Sequence, residues 1–203
     1  MTAPTLVLAS TSAYRRELLR RLGLPFVTAA PEVDEGRRPE ETAEALVMRL
    51  AVAKAQAVGK DFPQALVIGS DQVACIEGEI LGKPGGRERA LAQLGRCSGK
   101  VVVFLTGLSL FNTATGRVQV TCEPFRVHFR SLNSRQITYY VDQERPFDCA
   151  GSFKSEGLGI ALFERLEGDD PNALVGLPLI RLIAMLAAEG LEVLGAHSAK
   201  EPD

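Results

Sequence analysis

Near the N-terminus, a short polar segment carries side chains that could bind a phosphate group. Ser10, Thr11 and Ser12 follow an apolar run, and Arg15 and Arg16 come shortly after them. If a strand ends and a helix begins at the hydroxyl residues, backbone N–H groups and the positive end of the helix dipole converge there and favour an anion. The two arginines could add bidentate contacts to phosphate oxygens. A capped surface helix with solvated arginines explains these residues equally well, because such helix starts are common.

Lys54 occupies an unusual position for a cation, within the apolar stripe of a predicted helix. At helical spacing, the stripe consists of Val47, Leu50, Ala51 and Val58. A lysine on a packing face costs stability unless its ammonium meets an anion or its chain snorkels to solvent, and both alternatives stay open. A second cation, Lys83, stands between Gly82 and Pro84, where the glycine permits close approach of a ligand. Taken alone, Lys83 would be an ordinary surface lysine.

Acidic residues at three places could complement these cations. Asp71 directly follows a predicted buried strand, where it could bind a divalent metal or orient water for attack on phosphorus, or else cap a turn. Glu35 belongs to an acidic cluster after Pro31, which either ligates a metal or is a solvated loop. Glu156 lies in the small-residue loop 151–157, where solvation alone would explain it.

Composition and charge exclude several classes of protein. The chain has 203 residues, a formal net charge of -2 and four cysteines without paired spacing, so we expect no nucleic-acid partner, zinc site or redox motif. The N-terminus lacks the basic and apolar regions of a signal peptide. The most apolar region, residues 173–188, is interrupted by Gly176, Pro178 and Arg181 and is too short to span a bilayer. We therefore expect a cytoplasmic protein without a membrane segment.

The pattern of apolar runs and turn residues predicts an α/β domain with a mixed sheet. Strands are predicted at 6–9, 65–68, 101–111 and 118–129, and helices at about 12–22, 42–58, after 86, from Ser134, and from 178 to 190. The strand at 65–68 is expected to be interrupted by 69–72 before Val73 resumes it. Because helices alternate with strands but one long hairpin is included, the sheet should be mixed. We expect one domain over residues 1–203, with a loose tail from about 197.

Taken together, these segments resemble the Maf family of nucleotide pyrophosphatases. The resemblance runs from about residue 6 to residue 190, nearly the whole chain. In order, it includes residues 8–12 with Arg15-Arg16, Lys54-Ala55, 69–73, 82–84, Thr106-Gly107 and 151–157. Each segment is short, but their order and spacing together are highly specific.

The resemblance implies a fold of the Maf and inosine-triphosphatase type, with flanking helices and two lobes around a cleft, and usually a homodimer. It also implies hydrolysis of a nucleoside triphosphate between the α and β phosphates with a divalent cation, Mg²⁺ or Mn²⁺. Carried over by position, Asp71 would accept the proton of the attacking water, and Glu35 and Asp71 would bind the metal. The residues that would hold the triphosphate are Ser10, Arg15, Arg16, Lys54 and Lys83.

Three further positions of the resemblance concern the base. Relatives that look like dTTP and UTP hydrolases carry arginine at position 14, threonine at 72 and glutamine at 156, whereas this chain has Tyr14, Gln72 and Glu156. The pattern here is similar to the branch that acts on 7-methyl-GTP. A methylated guanine carries delocalised positive charge, so it could stack on Tyr14 as a cation–π partner. Its N1 and amino groups could donate hydrogen bonds to Glu156.

Other functions stay open at this point. The chain could be a pyrophosphatase of the same class for dTTP and UTP, inosine-type or other modified nucleotides. It could instead be a nucleotide-sensing regulator, for example of cell division, that binds without turnover, although such a protein has no need of a base such as Asp71. A serine–histidine hydrolase is disfavoured, because His128 is expected to face outward from a strand and His197 lies in the tail.

Overall fold

The computed structural model describes residues 4–195, which are organised around one mixed seven-stranded sheet. The strands are β1 (Thr5–Ala9), β2 (Val27–Ala29), β3 (Ala65–Ile76), β4 (Glu79–Leu81), β5 (Val101–Asn112), β6 (Val118–Phe129) and β7 (Phe163–Glu167). The helices are α1 (Ala13–Arg20), α2 (Ala43–Gly59), α3 (Arg87–Cys97), α4 (Ser134–Glu144), α5 (Pro171–Val175) and α6 (Leu179–Ala188). The predicted α/β class with a mixed sheet is therefore confirmed. The tail predicted to be loose lies outside the described residues.

Strand order across the sheet is β2-β1-β3-β5-β6-β7, with β4 paired to β3. The pairs of β1 with β2 and with β3 are parallel, and the remaining pairs are antiparallel. The hairpin of β5 and β6 supplies two long antiparallel strands, as the sequence predicted. Among residues 4–195, none of the helices has the length and apolarity needed to cross a bilayer.

Strand β3 is continuous over 12 residues, so the predicted interruption at 69–72 is wrong. The parallel pairing with β1 ends near Ile68, but the antiparallel pairing with β5 continues as far as Cys75. Strand β5 thus pairs with the backbone of residues 69–72, and this pairing does not depend on the side chains of those residues. Strand β1 ends at Ala9, whereas β3 continues beyond it. Residues 69–72 therefore border the space beyond the end of β1.

Buried apolar residues form separate groups along β3 and β5. One group joins β1 and the first half of β3 to α1 and α6, and it includes Leu19 and Ile68. On the opposite face of the same strands, the group that includes Val58 and Val67 joins them to α2. The third group joins the far half of β3 to α3, α4 and the β5–β6 hairpin, with Phe104 among its members. The first two groups share the half of the sheet that contains β1 and the third lies at the other half, so the buried residues divide into two lobes, and β3 and β5 contribute to both.

Helix α2 lies very close to the sheet because two glycines face it. A methyl group added at Gly69 would lie 2.0 Å from the carbonyl oxygen of Ala51, and one at Gly107 would lie 2.2 Å from that of Val47. Asp71 is paired with Gly107 and shares a face of β3 with Gly69, since alternate residues of a strand point the same way. The close approach therefore places α2 directly against Asp71.

Several local predictions need correction. Ser12 caps α1, but the helix ends at Arg20, short of the expected residue 22. The cap of α4 is Asn133, whose side chain accepts from the backbone of Gln136, and Ser134 is the first helical residue. Strands β2 and β7 and helix α5 were not predicted, because elements of three to five residues are too short to show a periodicity.

The glycine contact predicts that Gly69→Ala destabilises the fold, because the methyl group would overlap the α2 backbone. We expect the free energy of unfolding to fall by about 1–3 kcal/mol or more, as for other overpacked cores. The matched control is Gly95→Ala within α3, where an added methyl meets no atom within 4 Å. Since alanine favours helix, this change should raise stability by about 0.5–1 kcal/mol. Denaturant unfolding measures both, and an unchanged midpoint for Gly69→Ala would contradict the account.

Candidate active site

A cleft of about 720 Å³ opens between the end of β1, the start of α1 and the middle of β3. A smaller cavity of about 180 Å³ adjoins it, reaching the loop that follows α4. We refer to these as the main cleft and the side chamber. Both are lined by Ser12, Tyr14, Arg15, Gln72, Lys83 and Asp148. Of the predicted site residues, Glu156 lines only the side chamber, and Arg16 lines neither cavity.

Lys54 joins two of the acidic residues of the main cleft, Asp71 and Glu35. Its Nζ lies 2.7 Å from Oδ1 of Asp71 and 2.6 Å from Oε1 of Glu35, and the lysine side chain is only 7% exposed. The lysine therefore meets anions and does not snorkel to solvent. The hydrogen bond from Lys54 lowers the pKa of Glu35 below its usual range, and the nearby charges of Lys83 and Arg15 act in the same direction.

The N-terminal loop is shaped by its own hydroxyl groups. The buried Ser10 accepts a hydrogen bond from the backbone N–H of Ser12 at 3.1 Å. Ser12 in turn accepts from the backbone N–H of Arg15 at 3.4 Å, which caps α1. The loop thus turns at the end of β1 and brings the first residues of α1 to the rim of the main cleft. An anion site at this loop depended on a strand that ends and a helix that begins here, and the structure has both.

The two arginines of α1 point to different places. Arg15 lies between the main cleft and the side chamber, where its Nε donates to the carbonyl oxygen of Gly176 at 2.8 Å. Burial lowers the pKa of this guanidinium, and the charge of Asp71 partly offsets that effect. Arg16 lies on the other side of the N-terminal loop, in a separate cavity that it shares with Thr28. The structure does not bring Arg16 together with the cations that line the main cleft, Arg15, Lys54 and Lys83.

The side chamber places an aromatic face beside carboxylates. Tyr14 is 40% exposed and lines the chamber together with Glu156 and Asp148. Partial burial raises the pKa of the Tyr14 phenol, and Cys149, Asp148 and Glu156 raise it further. Glu156 is exposed and accepts a hydrogen bond from Ser155 Oγ at 2.9 Å. Three basic side chains also line the chamber, so it is the part beside Tyr14 and these carboxylates that suits a flat group with positive charge.

Gln72 lines both cavities, but its amide nitrogen is turned toward α5. Nε2 donates to Oγ1 of Thr106 at 2.9 Å and to the carbonyl oxygen of Ala173 at 2.7 Å. It also lies 3.2 Å from the carbonyl oxygen of Leu174. The donor group of this side chain is thus bound within the protein.

Sequence reasoning missed residues that the fold brings to these cavities. Asp148 lines both cavities, and its position in the loop after α4 has no pattern that distinguishes it from a surface acid. Leu174 and Val175 line the side chamber from α5, an element that was not predicted. Ser70 lies within the Gly69-Ser70-Asp71-Gln72 segment, but nothing in the sequence indicates which way its hydroxyl faces.

Comparison with known proteins identifies the family. A sequence profile described as "Maf-like protein" matches residues 5–189. The chain belongs to the Maf family. This Maf chain is 60% identical over 190 residues to a protein of Pseudomonas aeruginosa named 7-methyl-GTP pyrophosphatase, with 94% of this chain and 99% of the relative covered. Proteins of the same name from Alcanivorax borkumensis and Nitrosococcus oceani are 60% and 59% identical, with 94% of this chain and 96% of each relative covered.

The lowered pKa of Glu35 predicts a pH-dependent contribution to stability. Because the folded-state pKa lies below the usual value of 4.5, ionised Glu35 stabilises the fold above that pH and loses its contribution as the pH falls through the folded-state value. Glu35→Gln should therefore lower the free energy of unfolding at neutral pH, by no more than about 1 kcal/mol because the carboxylate is largely exposed.

Denaturant unfolding at a series of pH values measures this difference. It should shrink toward zero in acid, where both proteins carry an uncharged side chain. Glu32→Gln, a change of the same kind in the same loop, is the control and should leave the free energy of unfolding at neutral pH nearly unchanged. A difference for Glu35→Gln that stays constant across the pH range would contradict the assigned ion pair with Lys54.

Proposed function

We propose that this protein hydrolyses 7-methyl-GTP to 7-methyl-GMP and pyrophosphate and so removes a non-standard nucleotide. One observation carries the proposal: the main cleft and the side chamber meet at Arg15, Lys83 and Tyr14. Cations of the main cleft suit a triphosphate, whereas the tyrosine and carboxylates of the side chamber suit a positively charged base. The name shared by relatives that are 56–60% identical supports this assignment.

In this proposal, residues of the main cleft hold the triphosphate. Arg15 would bind phosphate oxygens through its two terminal nitrogens, since its Nε is already bound to the backbone. Lys83 is exposed at the mouth of the cleft and would add a second cation, and Ser10 would add a hydroxyl. Arg16 would contact a phosphate only across the N-terminal loop, so its contribution should be smaller than that of Arg15.

Asp71 would accept the proton of the attacking water. Its Oδ1 accepts a hydrogen bond from Lys54, which fixes the carboxylate in the cleft and leaves Oδ2 for the proton. The Lys54 ammonium would also offset the repulsion between this carboxylate and the approaching phosphates. Lys54 would therefore both orient Asp71 and reduce the electrostatic cost of binding the triphosphate beside it.

A divalent cation, Mg²⁺ or Mn²⁺, completes the proposal. Among residues 4–195, no three His, Cys, Asp or Glu side chains converge to form a metal cage. Mg²⁺ does not need one, because it commonly takes one or two carboxylates together with water and phosphate oxygens. Asp71 and Glu35 each bind Lys54 through one oxygen, so their second oxygens would hold the cation. Asp71 Oδ2 has two lone pairs, so one would serve the cation and the other would accept the proton. When bound, it would offset negative charge on the phosphates.

In the side chamber, Tyr14 would stack on the methylated base, and Glu156 would accept hydrogen bonds from N1 and the amino group. Asp148 adds a second negative charge close to the same ring. Gln72 would set the shape of the chamber through its bonds to α5, with its amide nitrogen already bound there. A neutral base would gain less from the two carboxylates, which gives the chamber its preference.

The homodimer, the cytoplasmic location and the single domain over the whole chain stay predictions. Light scattering on the purified protein would measure the first of these, because the mass of one chain is 21.9 kDa. A scattering mass near that value would contradict the homodimer.

Asp71→Asn tests the reaction itself. We expect release of pyrophosphate from 7-methyl-GTP with Mg²⁺ to fall by about 10²- to 10⁴-fold, the usual contribution of a general base. Binding of the nucleotide, measured by calorimetry, should change far less. Asp61→Asn, in the exposed loop between α2 and β3, is the control and should keep the rate of the unchanged protein. Full activity of Asp71→Asn, or orthophosphate in place of pyrophosphate, would contradict the proposal.

Glu156→Gln tests the base pocket. The substitution keeps a carbonyl acceptor but removes the charge, so kcat/KM for 7-methyl-GTP relative to GTP should fall about tenfold. The rate for GTP alone should change little. Glu164→Gln, an exposed residue of β7, is the matched control. If the ratio for Glu156→Gln stays at the value of the unchanged protein, Glu156 does not select the base.

A further inference from the structure

The C-terminal end of α5 is bound by side chains from β3 and β5. Ser70 Oγ donates to the carbonyl oxygen of Gly176 at 2.8 Å, and Gln72 donates to that of Ala173 at 2.7 Å. Thr106 Oγ1 also donates to the Ala173 carbonyl, at 2.9 Å. Ser70 and Gln72 share one face of β3, because they are two residues apart. These side chains thus add hydrogen bonds to carbonyl groups at the end of the helix, where few partners are available within the helix itself.

The Gly176 carbonyl also accepts a hydrogen bond from Arg15 Nε at 2.8 Å. One backbone oxygen is therefore shared by a buried serine and by an arginine at the cleft. Gly176 has a φ of +110°, in the left-handed region that favours glycine, and it ends α5. A methyl group at this position would lie 3.3 Å from Arg15 Nε, so the backbone and the guanidinium are in close contact.

We infer that Ser70 is a positioning residue for Arg15 and acts through the Gly176 carbonyl. Ser70 is fully buried and lines neither the main cleft nor the side chamber, so it would not touch the nucleotide. Its hydroxyl fixes the carbonyl, and the carbonyl fixes Nε of the arginine. The inference rests on the proposed function, because it gives Arg15 the role of binding the triphosphate.

The physical reason is the freedom of an arginine side chain. A free guanidinium on a long chain loses much rotamer entropy when it binds a phosphate, and this loss weakens the complex. Arg15 is already held at Nε before the nucleotide arrives, so less freedom remains to be lost. The fork of its two terminal nitrogens is also oriented in advance, which matters for bidentate contact with phosphate oxygens.

Ser70→Ala tests the inference, with Ser109→Ala as its matched control. Ser109 is equally buried, on the neighbouring strand β5, and its hydroxyl has no hydrogen-bond partner within the described residues. We expect Ser70→Ala to lower kcat/KM for 7-methyl-GTP about tenfold, with most of the change in KM because phosphate binding is weakened. Ser109→Ala should keep the kinetics of the unchanged protein. Equal effects of the two changes would overturn the inference.

A double-mutant cycle separates positioning from a general loss of structure. Arg15→Lys removes the Nε donor, so adding Ser70→Ala to it should cause less than about twofold further loss. A further loss as large as in the unchanged protein would show that Ser70 does not act through Arg15. If Ser70→Ala does not fold, Ser70→Cys keeps the volume with a weaker donor and should again lose activity only while Arg15 is present.

The outcomes also distinguish this inference from the proposed function. If the unchanged protein cleaves 7-methyl-GTP and the cycle is additive, the positioning role fails and the proposed function stands. If the unchanged protein cleaves no nucleoside triphosphate, both fail together.

Discussion

Close packing of α2 against the sheet is the constraint on which the cleft depends. Gly69 and Gly107 let the helix backbone approach so near that Lys54 reaches Asp71 across 2.7 Å. A side chain at either glycine would push the helix outward and separate the lysine from both of its carboxylates. The chemistry of the cleft therefore depends on two residues that carry no functional group of their own.

Side chains of β3 alternate between two faces of the strand, and each face has a different role. Asp71 faces α2 and the cations, whereas Ser70 and Gln72 face α5 and hold it in place. Because β3 runs past the end of β1, the same stretch also borders the N-terminal loop that begins α1. Neighbouring residues of β3 thus contribute to both cavities: Asp71 to the charge of the main cleft, and Gln72 to the shape of the side chamber. Arg15 lies where the two cavities meet.

The sequence predicted the parts of this arrangement that have a regular spacing. Lys54 was conspicuous because a cation interrupted an apolar stripe, and its two acidic partners were both among the predicted residues. The predicted break in β3 was wrong because small polar residues resemble a turn, while their pairing partner on β5 is distant in sequence. Helix α5 is too short to show a period, so its contacts with Ser70 and Gln72 could not be foreseen. Asp148 was missed because it reaches the cavities only through the path of the loop after α4, which no sequence pattern indicates.

Direct competition between two nucleotides measures the preference of the side chamber for a methylated base. An equimolar mixture of 7-methyl-GTP and GTP would be incubated with the protein and Mg²⁺ and followed by phosphorus NMR. Stacking on Tyr14 and the negative charge of Glu156 predict that 7-methyl-GTP is consumed first. The proposed reaction predicts that pyrophosphate and 7-methyl-GMP appear in equal amounts. Consumption of GTP at the same or a greater rate, or release of orthophosphate, would contradict the account.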